Sequence, residues 1–301
     1  MFNPLINSLT EYMLKFVDLF CGMGSFHYSL SRLGMECVFA SDVCEIARNN
    51  YEKNYKVRPK GDVNDIDPKD MPPYDVLCAG LPCQSFSNAG LKRGLEDERG
   101  KLFFRLMKFV ETNKPRFVVI ENVSHLLKHD GGKTFETMKN ALESEGYSVA
   151  HTILKCSDYG IPQMRKRLFV VCSRQKEDLR DFFDLAQYEP KERVTLSPYL
   201  GKNFVRDFAF TIRCRGRHSK IGDRHNWSNY AVDGENYTIT IEDALKLQGF
   251  VDYEMVGTKT QRWELLGNTI PTNLTRIIGK QILSCASKRE GSLLPSLNVS
   301  K

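Results

Sequence analysis

The stretch FVDLFCGMGSF, residues 16–26, contains a short apolar run that ends in a glycine turn, after which a helical pattern begins. The run 15–20 is typical of a buried strand, and a helix is expected over 25–33. Gly22 and Gly24 let the backbone pass close to a ligand, and the start of the helix offers free N–H groups. The spacing is not the GxGxxG of a dinucleotide site. The segment therefore indicates a strand–turn–helix unit that either binds a small ligand or is only a tight turn.

Outward from this unit, short apolar runs alternate with longer helical patterns. This alternation predicts an α/β fold with a doubly wound, mainly parallel sheet, whose ligands bind at the carboxyl ends of the strands. Further strands are expected at 36–41, 74–79, 116–120, 149–154 and 168–172. Further helices are expected up to about residue 54 and at 102–111, 133–145, 242–248 and 272–287.

The alternation stops after about Arg174. Residues 175–238 contain few long apolar runs and many Arg, Asn, Gly and His residues, and helical periodicity returns after them. The sequence therefore predicts a large domain of residues 1–174 plus 239–301 and a small irregular domain of residues 175–238.

Composition argues against several classes of protein. Hydrophobic residues make up 41% and charged residues 27% of the 301 residues, as in ordinary globular proteins. The chain has no run of 18 apolar residues and no secretory signal pattern at its start, so we expect no membrane segment and no export. The nine cysteines lack CxxC spacing, which argues against a disulfide framework or a metal site and favours a reducing, cytoplasmic compartment.

Positive charge is concentrated in one part of the chain. The net charge is +6, and residues 161–230 alone hold 15 Lys and Arg against 8 Asp and Glu. A concentrated basic surface suits a polyanion such as nucleic acid. A solvated basic face would give the same count, so charge alone leaves both interpretations open.

Acidic residues follow the next two strand ends. Asp42 is placed to accept hydrogen bonds from a ribose diol, and Asp62 from an exocyclic amine. Together with the glycine turn, they fit an adenosine-containing cofactor that lacks a pyrophosphate. Taken singly, each aspartate is better explained as a helix cap or a turn residue.

A cysteine, a glutamate and two arginines are predicted at the same edge of the sheet. Cys83 lies in the loop of AGLPCQSFS, and Glu121 ends a strand in the segment Glu-Asn-Val. A nucleophilic thiol beside a proton donor is the pair that covalent catalysis needs. In QMRKR, strand alternation puts Arg165 and Arg167 on one face, where they can hold a phosphate or a base carbonyl. The alternatives are an inert small cysteine and a solvated basic strand end.

These blocks, in this order, resemble the DNA cytosine-5 methyltransferase family. The matching motifs are FVDLFCGMGSF, GLPCQSFS, ENV, QMRKR and LLGNTIPTN, within residues 16–174 and 239–281. The resemblance implies a sheet that binds S-adenosyl-L-methionine and a variable target-recognition domain, here residues 175–238. It implies methylation of carbon 5 of cytosine at a short specific sequence in double-stranded DNA. It further implies a functional monomer in the cytoplasm of a bacterial or phage-infected cell, or in the host cell interior if the source is a large DNA virus, with a cognate restriction endonuclease as a possible partner.

The resemblance also implies roles for the reactive residues. Cys83 adds to carbon 6 of a flipped-out cytosine, and Glu121 protonates ring nitrogen 3, which makes carbon 5 nucleophilic. Arg167 matches the arginine that holds the cytosine carbonyl, with Arg165 beside it. The chemistry itself requires base flipping, because carbon 6 is inaccessible to such a nucleophile inside the base stack.

The remaining predicted site residues fall into a cofactor set and a DNA set. The predicted cofactor residues are Phe20, Gly22, Gly24, Asp42, Asp62, Pro82 and Asn268. The predicted DNA contacts are Gln84, Ser87, Thr211, Arg213, Arg215 and Arg217, the three arginines being candidates for guanine or phosphate. Val43 stands where many members have an aromatic residue that stacks on adenine, so we expect thinner packing there.

Two alternatives stay open at this point. One branch of the family methylates transfer RNA, but its Cys-Phe-Thr signature is absent and the loop reads Ser-Phe-Ser. The second alternative is a DNA-binding subunit without catalytic activity, although all the reactive residues are present. A methylation assay on DNA and on transfer RNA separates the three.

Overall fold

One six-stranded sheet forms the centre of the molecule. The computed structural model describes residues 13–82, 98–190, 192–215 and 219–290, without the side chains of 98–101 and 288–290. The strands are β1 (Lys15–Leu19), β2 (Glu36–Ser41), β3 (Val76–Gly80), β4 (Phe117–Asn122), β5 (Ser148–Lys155) and β6 (Lys166–Ser173). Their order is β2-β1-β3-β4-β6-β5; the first four run parallel, and β6 is antiparallel to both neighbours. The predicted mainly parallel sheet is confirmed.

Helices cover both faces of this sheet. They are α1 (Ser25–Ser31), α2 (Glu45–Tyr55), α3 (Glu98–Asn113), α4 (Lys133–Ser144), α5 (Leu196–Leu200), α6 (Ile241–Leu247), α7 (Lys259–Asn268) and α8 (Thr272–Glu290). The core on one face includes α1 and α8, and the core on the other includes α3 and α4, so the sheet is doubly wound. Within the described residues, no helix has the length and apolar character needed to cross a bilayer.

The strands are apolar on both faces because both faces are covered. In β1, Phe16 packs with α1 and α8, and the next residue, Val17, packs with α3 and α4. Val76 and Leu77 of β3 divide between the two cores in the same way. Central strands of a doubly covered sheet therefore have near-continuous apolar sequences, which is why their positions could be predicted.

Residues 175–238, predicted as a separate small domain, divide between two cores. Phe182 and Leu185 pack in the core that includes α8. Trp227 belongs to a third core and meets Trp263 of α7 edge to face, with ring centroids 5.6 Å apart. The division into two domains remains a prediction, and the third core shows that much of the small region packs on α6 and α7.

Some elements were not anticipated from the sequence, namely α5, α7 and a hairpin of β7 (Asn229–Val232) and β8 (Glu235–Thr238). The hairpin turns at Asp233 and Gly234, whose φ values are 52° and 83°. Asp-Gly is a strong signal for such a turn. Helix α7 begins with a capping box between Thr258 and Gln261. Both signals were present in the sequence.

Candidate active site

A cavity of about 360 Å³ lies at the carboxyl ends of β1, β3 and β4. It occupies the edge where the sequence placed ligand binding. The predicted residues that line it are Phe20, Gly22, Asp42, Pro82, Glu121, Arg167 and Asn268. Gly24, Asp62 and Arg165 are described but do not line it.

The turn after β1 contains residues in the left-handed backbone region and is held by the side chain of a tyrosine. Phe20, Gly22 and Gly24 have φ values of 55°, 53° and 78°. The Tyr55 hydroxyl donates to the carbonyls of Met23 and Gly24 at 3.1 and 3.0 Å. A Cβ on Gly24 would lie 2.4 Å from a Tyr55 ring carbon, so no larger residue fits there. Gly24 packs against the Tyr55 ring and does not line the cavity, whereas Phe20 and Gly22 do.

Asp42 buttresses the same turn from the end of β2. Its Oδ2 accepts a hydrogen bond from the Gly22 N–H at 2.7 Å, and its Oδ1 accepts one from the Cys44 N–H at 2.8 Å. Burial raises the pKa of Asp42, and these two bonds act in the opposite direction. Each oxygen keeps a further lone pair that a ligand hydroxyl can use. Val43, also in the lining, is 71% exposed, so the cavity is open on that side.

Asp62 has a different environment from Asp42. Its Oδ1 accepts hydrogen bonds from the main-chain and side-chain nitrogens of Asn64, both at 2.9 Å, and it caps the 3₁₀ turn Val63–Asp65. This is the capping geometry that the sequence left open as an alternative. The predicted contact with an exocyclic amine stays a prediction.

Asp18 is a cavity residue that the sequence analysis missed. It lies inside β1, is 1% exposed and lines the cavity. Among the described residues, neither of its carboxylate oxygens has a hydrogen-bond partner of good geometry, and the His27 main chain is the donor that comes near. Burial raises the pKa of Asp18 well above its ordinary value; the nearby His27 main chain opposes this and the Asp42 charge adds to it. The signal was the carboxylate inside the apolar run FVDLF, since an unpaired buried carboxylate is costly.

Glu121 and Arg167 form an ion pair in the cavity wall. The Arg167 Nε lies 2.8 Å from Glu121 Oε1, and the two side chains are 14% and 8% exposed. Burial raises the pKa of Glu121, while the charges of Arg167 and Arg165 lower it, with a net upward shift. The carboxyl can therefore hold a proton beside a guanidinium, as a general acid must.

The register of the sheet brings the start of the Cys83 loop beside Glu121. Gly80, the last residue of β3, pairs with Glu121 of β4. Asn122 donates from Nδ2 to the Leu81 carbonyl at 3.3 Å and so holds the chain as it leaves the strand. Cys83 itself lies outside the described residues.

Arg165 does not share the environment of Arg167. It is 1% exposed and donates to the carbonyls of Ile212, Gly267 and Thr269 at 2.8, 2.8 and 2.7 Å. Arg165 precedes β6, so the strand alternation that put both arginines on one face does not extend to it. Among the described residues, the Arg165 guanidinium therefore bonds main-chain carbonyls. It does not face the open cavity that a phosphate or a base would occupy.

The predicted DNA contacts lie partly within the described structure. Thr211 donates from Oγ1 to the Met164 carbonyl at 3.4 Å, and Arg213 and Arg215 are exposed. The Arg215 carbonyl accepts a hydrogen bond from Trp227 Nε1 at 2.8 Å, which anchors its main chain. The other predicted DNA contacts, which lie outside the described residues, are Gln84, Ser87 and Arg217.

The fold is similar to that of solved α/β methyltransferases. A methyltransferase of Entamoeba histolytica, EhMeth, superposes with a TM-score of 0.74 at 18% identity, over 90% of this chain and 98% of that one. The Dnmt2 methyltransferase of S. pombe superposes with a TM-score of 0.72 at 19% identity, over 90% and 99%. At these identities the likeness concerns the fold.

Sequence comparison defines the family within that class. Residues 14–231 match the model of the C-5 cytosine-specific DNA methylase family. The chain belongs to this family and is a DNA cytosine-5 methyltransferase. The predicted family and enzyme class are confirmed.

Several relatives are Type II methyltransferases. M.HaeII of Haemophilus aegyptius is 31% identical over 97% of this chain and 95% of its own length. M.DsaV of Dactylococcopsis salina is 30% identical over 92% and 88%. M.HhaI of Haemophilus parahaemolyticus is 41% identical over 56% of this chain and 52% of its own length, so that match spans about half of each protein.

Proposed function

We propose that the protein methylates carbon 5 of a flipped-out cytosine, within a short specific sequence of double-stranded DNA, through a covalent bond from Cys83 to carbon 6. The observation that carries this proposal is the buried Glu121–Arg167 pair, which lies in the cavity wall next to the strand that leads to Cys83. The charge of the nearby Arg165 favours the ionised form of Glu121.

Chain connectivity supports a meeting of Cys83 with Glu121. Cys83 follows Gly80 by three residues, and Gly80 pairs with Glu121 across the sheet. Three residues span at most about 10 Å of chain. Pro82, directly before Cys83, is already in the lining. The loop therefore starts where a nucleophile is needed.

Glu121 supplies the acid function. A proton delivered to ring nitrogen 3 offsets the charge that develops when the thiolate adds to carbon 6. Burial raises the pKa of Glu121 above its ordinary value, which favours the protonated carboxyl that this step needs. Arg167, paired with Glu121, is placed to hold the cytosine carbonyl with its remaining donors.

The cavity fits S-adenosyl-L-methionine as cofactor. When bound, this cofactor supplies an electrophilic methyl group, and it carries ammonium and sulfonium charges. The buried, unpartnered carboxylate of Asp18 is suited to such a cation. Asp42 would take the ribose, with Phe20, Gly22, Pro82 and Asn268 around the cofactor. Gly24 would support the turn, and Asp62 would bind the exocyclic amine if its capping bonds leave it free.

The wider context of the proposal follows from the relatives. They are Type II methyltransferases, which supports a short specific target and a restriction–modification context with a cognate endonuclease. We propose that the protein acts as a monomer in the cytoplasm. Residues 175–238 would be the target-recognition domain and residues 1–174 plus 239–301 the catalytic domain, with Gln84 and Ser87 contacting DNA beside Cys83.

The decisive experiment is a trap with DNA that contains 5-fluorocytosine. Random-sequence duplexes carrying the analogue should form a denaturant-stable adduct with the protein, and only with cofactor present. After methyl transfer the fluorine cannot leave as the proton does, so Cys83 stays bonded. C83S should form no adduct and no labelled product, because a hydroxyl is far less ionised than a thiol near neutral pH.

The controls separate the mechanism from its substrate. C285A removes a buried thiol that donates to the Asp178 carbonyl at 3.1 Å, and it should trap as well as the wild type. Labelled methyl transfer to transfer RNA but not to DNA would contradict the DNA substrate. Methylation of DNA without an adduct, or by C83S, would contradict covalent catalysis by Cys83.

A further inference from the structure

Residues 211–215, the recognition segment, lie directly against the wall of the cofactor cavity. Three polar side chains hold them there: Gln163, Arg165 and Cys214. We name these three the clamp. Gln163 and Arg165 are 0% and 1% exposed, so the clamp is largely buried.

Gln163 and Arg165 hold both main-chain groups of Ile212. The Gln163 Oε1 accepts a hydrogen bond from the Ile212 N–H at 3.2 Å, and Arg165 Nη1 donates to the Ile212 carbonyl at 2.8 Å. The other guanidinium nitrogen, Nη2, donates to the carbonyls of Gly267 and Thr269. One side chain thus bonds the recognition segment and the cavity wall at once.

Arg165 remains a cation in this buried place. Burial lowers its pKa to about 9, and the Arg167 charge acts in the same direction. At neutral pH the group is therefore still charged, and a buried charge is tolerated only with good hydrogen bonds. Three carbonyls provide them, and separation of the segment from the wall would remove one of the three, the Ile212 carbonyl.

Cys214 makes a direct link between the recognition segment and a cavity residue. Its Sγ donates to Asn268 Oδ1 at 3.0 Å and to the Glu264 carbonyl at 3.5 Å. Asn268 lines the cavity. A Cβ on Gly267 would lie 2.3 Å from the Cys214 nitrogen, so the two backbones are in contact without a gap. A shift of Cys214 must therefore shift Asn268 or break this bond.

We propose that Cys214 is a positioning residue that couples DNA binding to cofactor binding. DNA contacts at the neighbouring Arg213 and Arg215 fix the segment, Cys214 then fixes Asn268, and the cavity holds the cofactor more tightly. The inference rests on the proposed function, which places the cofactor in this cavity and DNA on this segment. Coupling between two sites is reciprocal, so bound cofactor must tighten DNA binding by the same factor.

The test measures that factor in the full-length protein. The probes are S-adenosyl-L-homocysteine and a duplex that carries the site found by methylation mapping. Titration calorimetry gives the affinity for each probe with and without the other. For the wild type we expect a coupling factor of roughly 5 to 150, the usual range for linked sites. C214A should reduce that factor at least threefold, and C214S, whose hydroxyl can donate to Asn268, should restore most of it.

The matched control is C285A, which removes a thiol whose hydrogen bond to a main-chain carbonyl lies outside the clamp. It should keep the wild-type factor. If C214A weakens the binding of S-adenosyl-L-homocysteine equally with and without DNA, Cys214 only helps to form the cavity wall. The coupling proposal is then overturned. A wild-type factor of one overturns it as well. If the wild type binds no S-adenosyl-L-homocysteine at all, the proposed function fails instead.

Discussion

The cavity at the sheet edge and the recognition segment are positioned in different ways. In the cavity, Glu121 and Asp18 belong to strands, and the sheet register fixes where their side chains lie. In the recognition segment, polar side chains hold the main chain while the side chains of Arg213 and Arg215 are exposed. Rigid strands suit chemistry that needs fixed distances, whereas exposed side chains on a held loop suit contact with a variable partner.

This comparison makes a general prediction about substitutions. Changes in the cavity should alter rate or cofactor affinity and leave the choice of DNA sequence intact. Changes of the exposed arginines on the recognition segment should alter the choice of sequence and leave the chemistry intact.

The largest effect is expected from E121Q. The amide can still accept a hydrogen bond from Arg167, but it cannot deliver a proton to the base. General-acid assistance contributes roughly a hundredfold to ten-thousandfold, so the single-turnover rate should fall by about that factor. Binding of a DNA duplex should change far less. Rapid-quench measurement of the rate and a gel-shift measurement of affinity check the two values.

If E121Q lost single-turnover rate and DNA affinity by the same factor, Glu121 would have a structural role and would not be a general acid. R174A serves as a control, because Arg174 is exposed just beyond β6 and outside the cavity. It should leave the single-turnover rate unchanged.

The two regions also differ in how far the sequence predicted them. Strand β2 matches its predicted range 36–41 residue for residue, because apolar runs between helices mark covered strands. Glu121 and Arg167 lie near the ends of predicted strands. Their position at the same edge of the sheet could therefore be predicted. The carboxylate of Asp18 inside the apolar run FVDLF was a signal, but its lack of a hydrogen-bond partner arises from packing between elements and could not be predicted. The clamp was missed for the same reason: Gln163 and Ile212 lie 49 residues apart.

A smaller effect is expected from D18N in the cavity. Asparagine keeps the shape but cannot balance the positive charge of the cofactor. A hydrogen bond to a charged group is worth about 1.5–3 kcal/mol, so S-adenosyl-L-homocysteine should bind roughly tenfold to a hundredfold more weakly. Unchanged affinity in calorimetry would remove Asp18 from the cofactor site.

The same substitution has a consequence for stability without ligand. Burial raises the pKa of Asp18 in the folded protein above the unfolded value, which is about 3.9. The folded state then holds a proton that the unfolded state releases, so stability falls as pH rises above that value until the folded group ionises. D18N should remove this loss. Urea unfolding at several pH values should show the variant gaining stability relative to wild type as pH rises; the opposite trend would show that Asp18 is well paired.

The smallest effects belong to the recognition segment. Arg213 and Arg215 lie on either side of Cys214, whose main chain is in contact with Gly267. Both side chains are exposed, and the segment lies in the part of the chain with a surplus of 7 positive charges. The main chain is packed against Gly267, so we expect the two exposed guanidinium groups to face a duplex that binds there. Arg217, outside the described residues, extends the same pattern in sequence.

Each arginine can act in one of two ways, and the measurement separates them. An arginine that binds guanine with two hydrogen bonds should cost about 1–3 kcal/mol when removed and relax the choice at one base pair. An arginine that binds phosphate should weaken all sites alike and lower the salt slope by about 1. We expect at least one of R213A, R215A and R217A to change the methylated sequence, as mapped on a random-sequence library.

The control for this series is R193A. Arg193 is exposed in the same small region but pairs with Asp207 at 3.2 Å, and it lies outside the recognition segment. Its site profile should equal that of the wild type. If all three recognition variants also keep that profile and differ only in salt slope, the segment grips phosphate, and sequence is read elsewhere in the small region. The cavity would then determine the rate of methylation, and the segment would determine only how tightly and how long DNA stays bound.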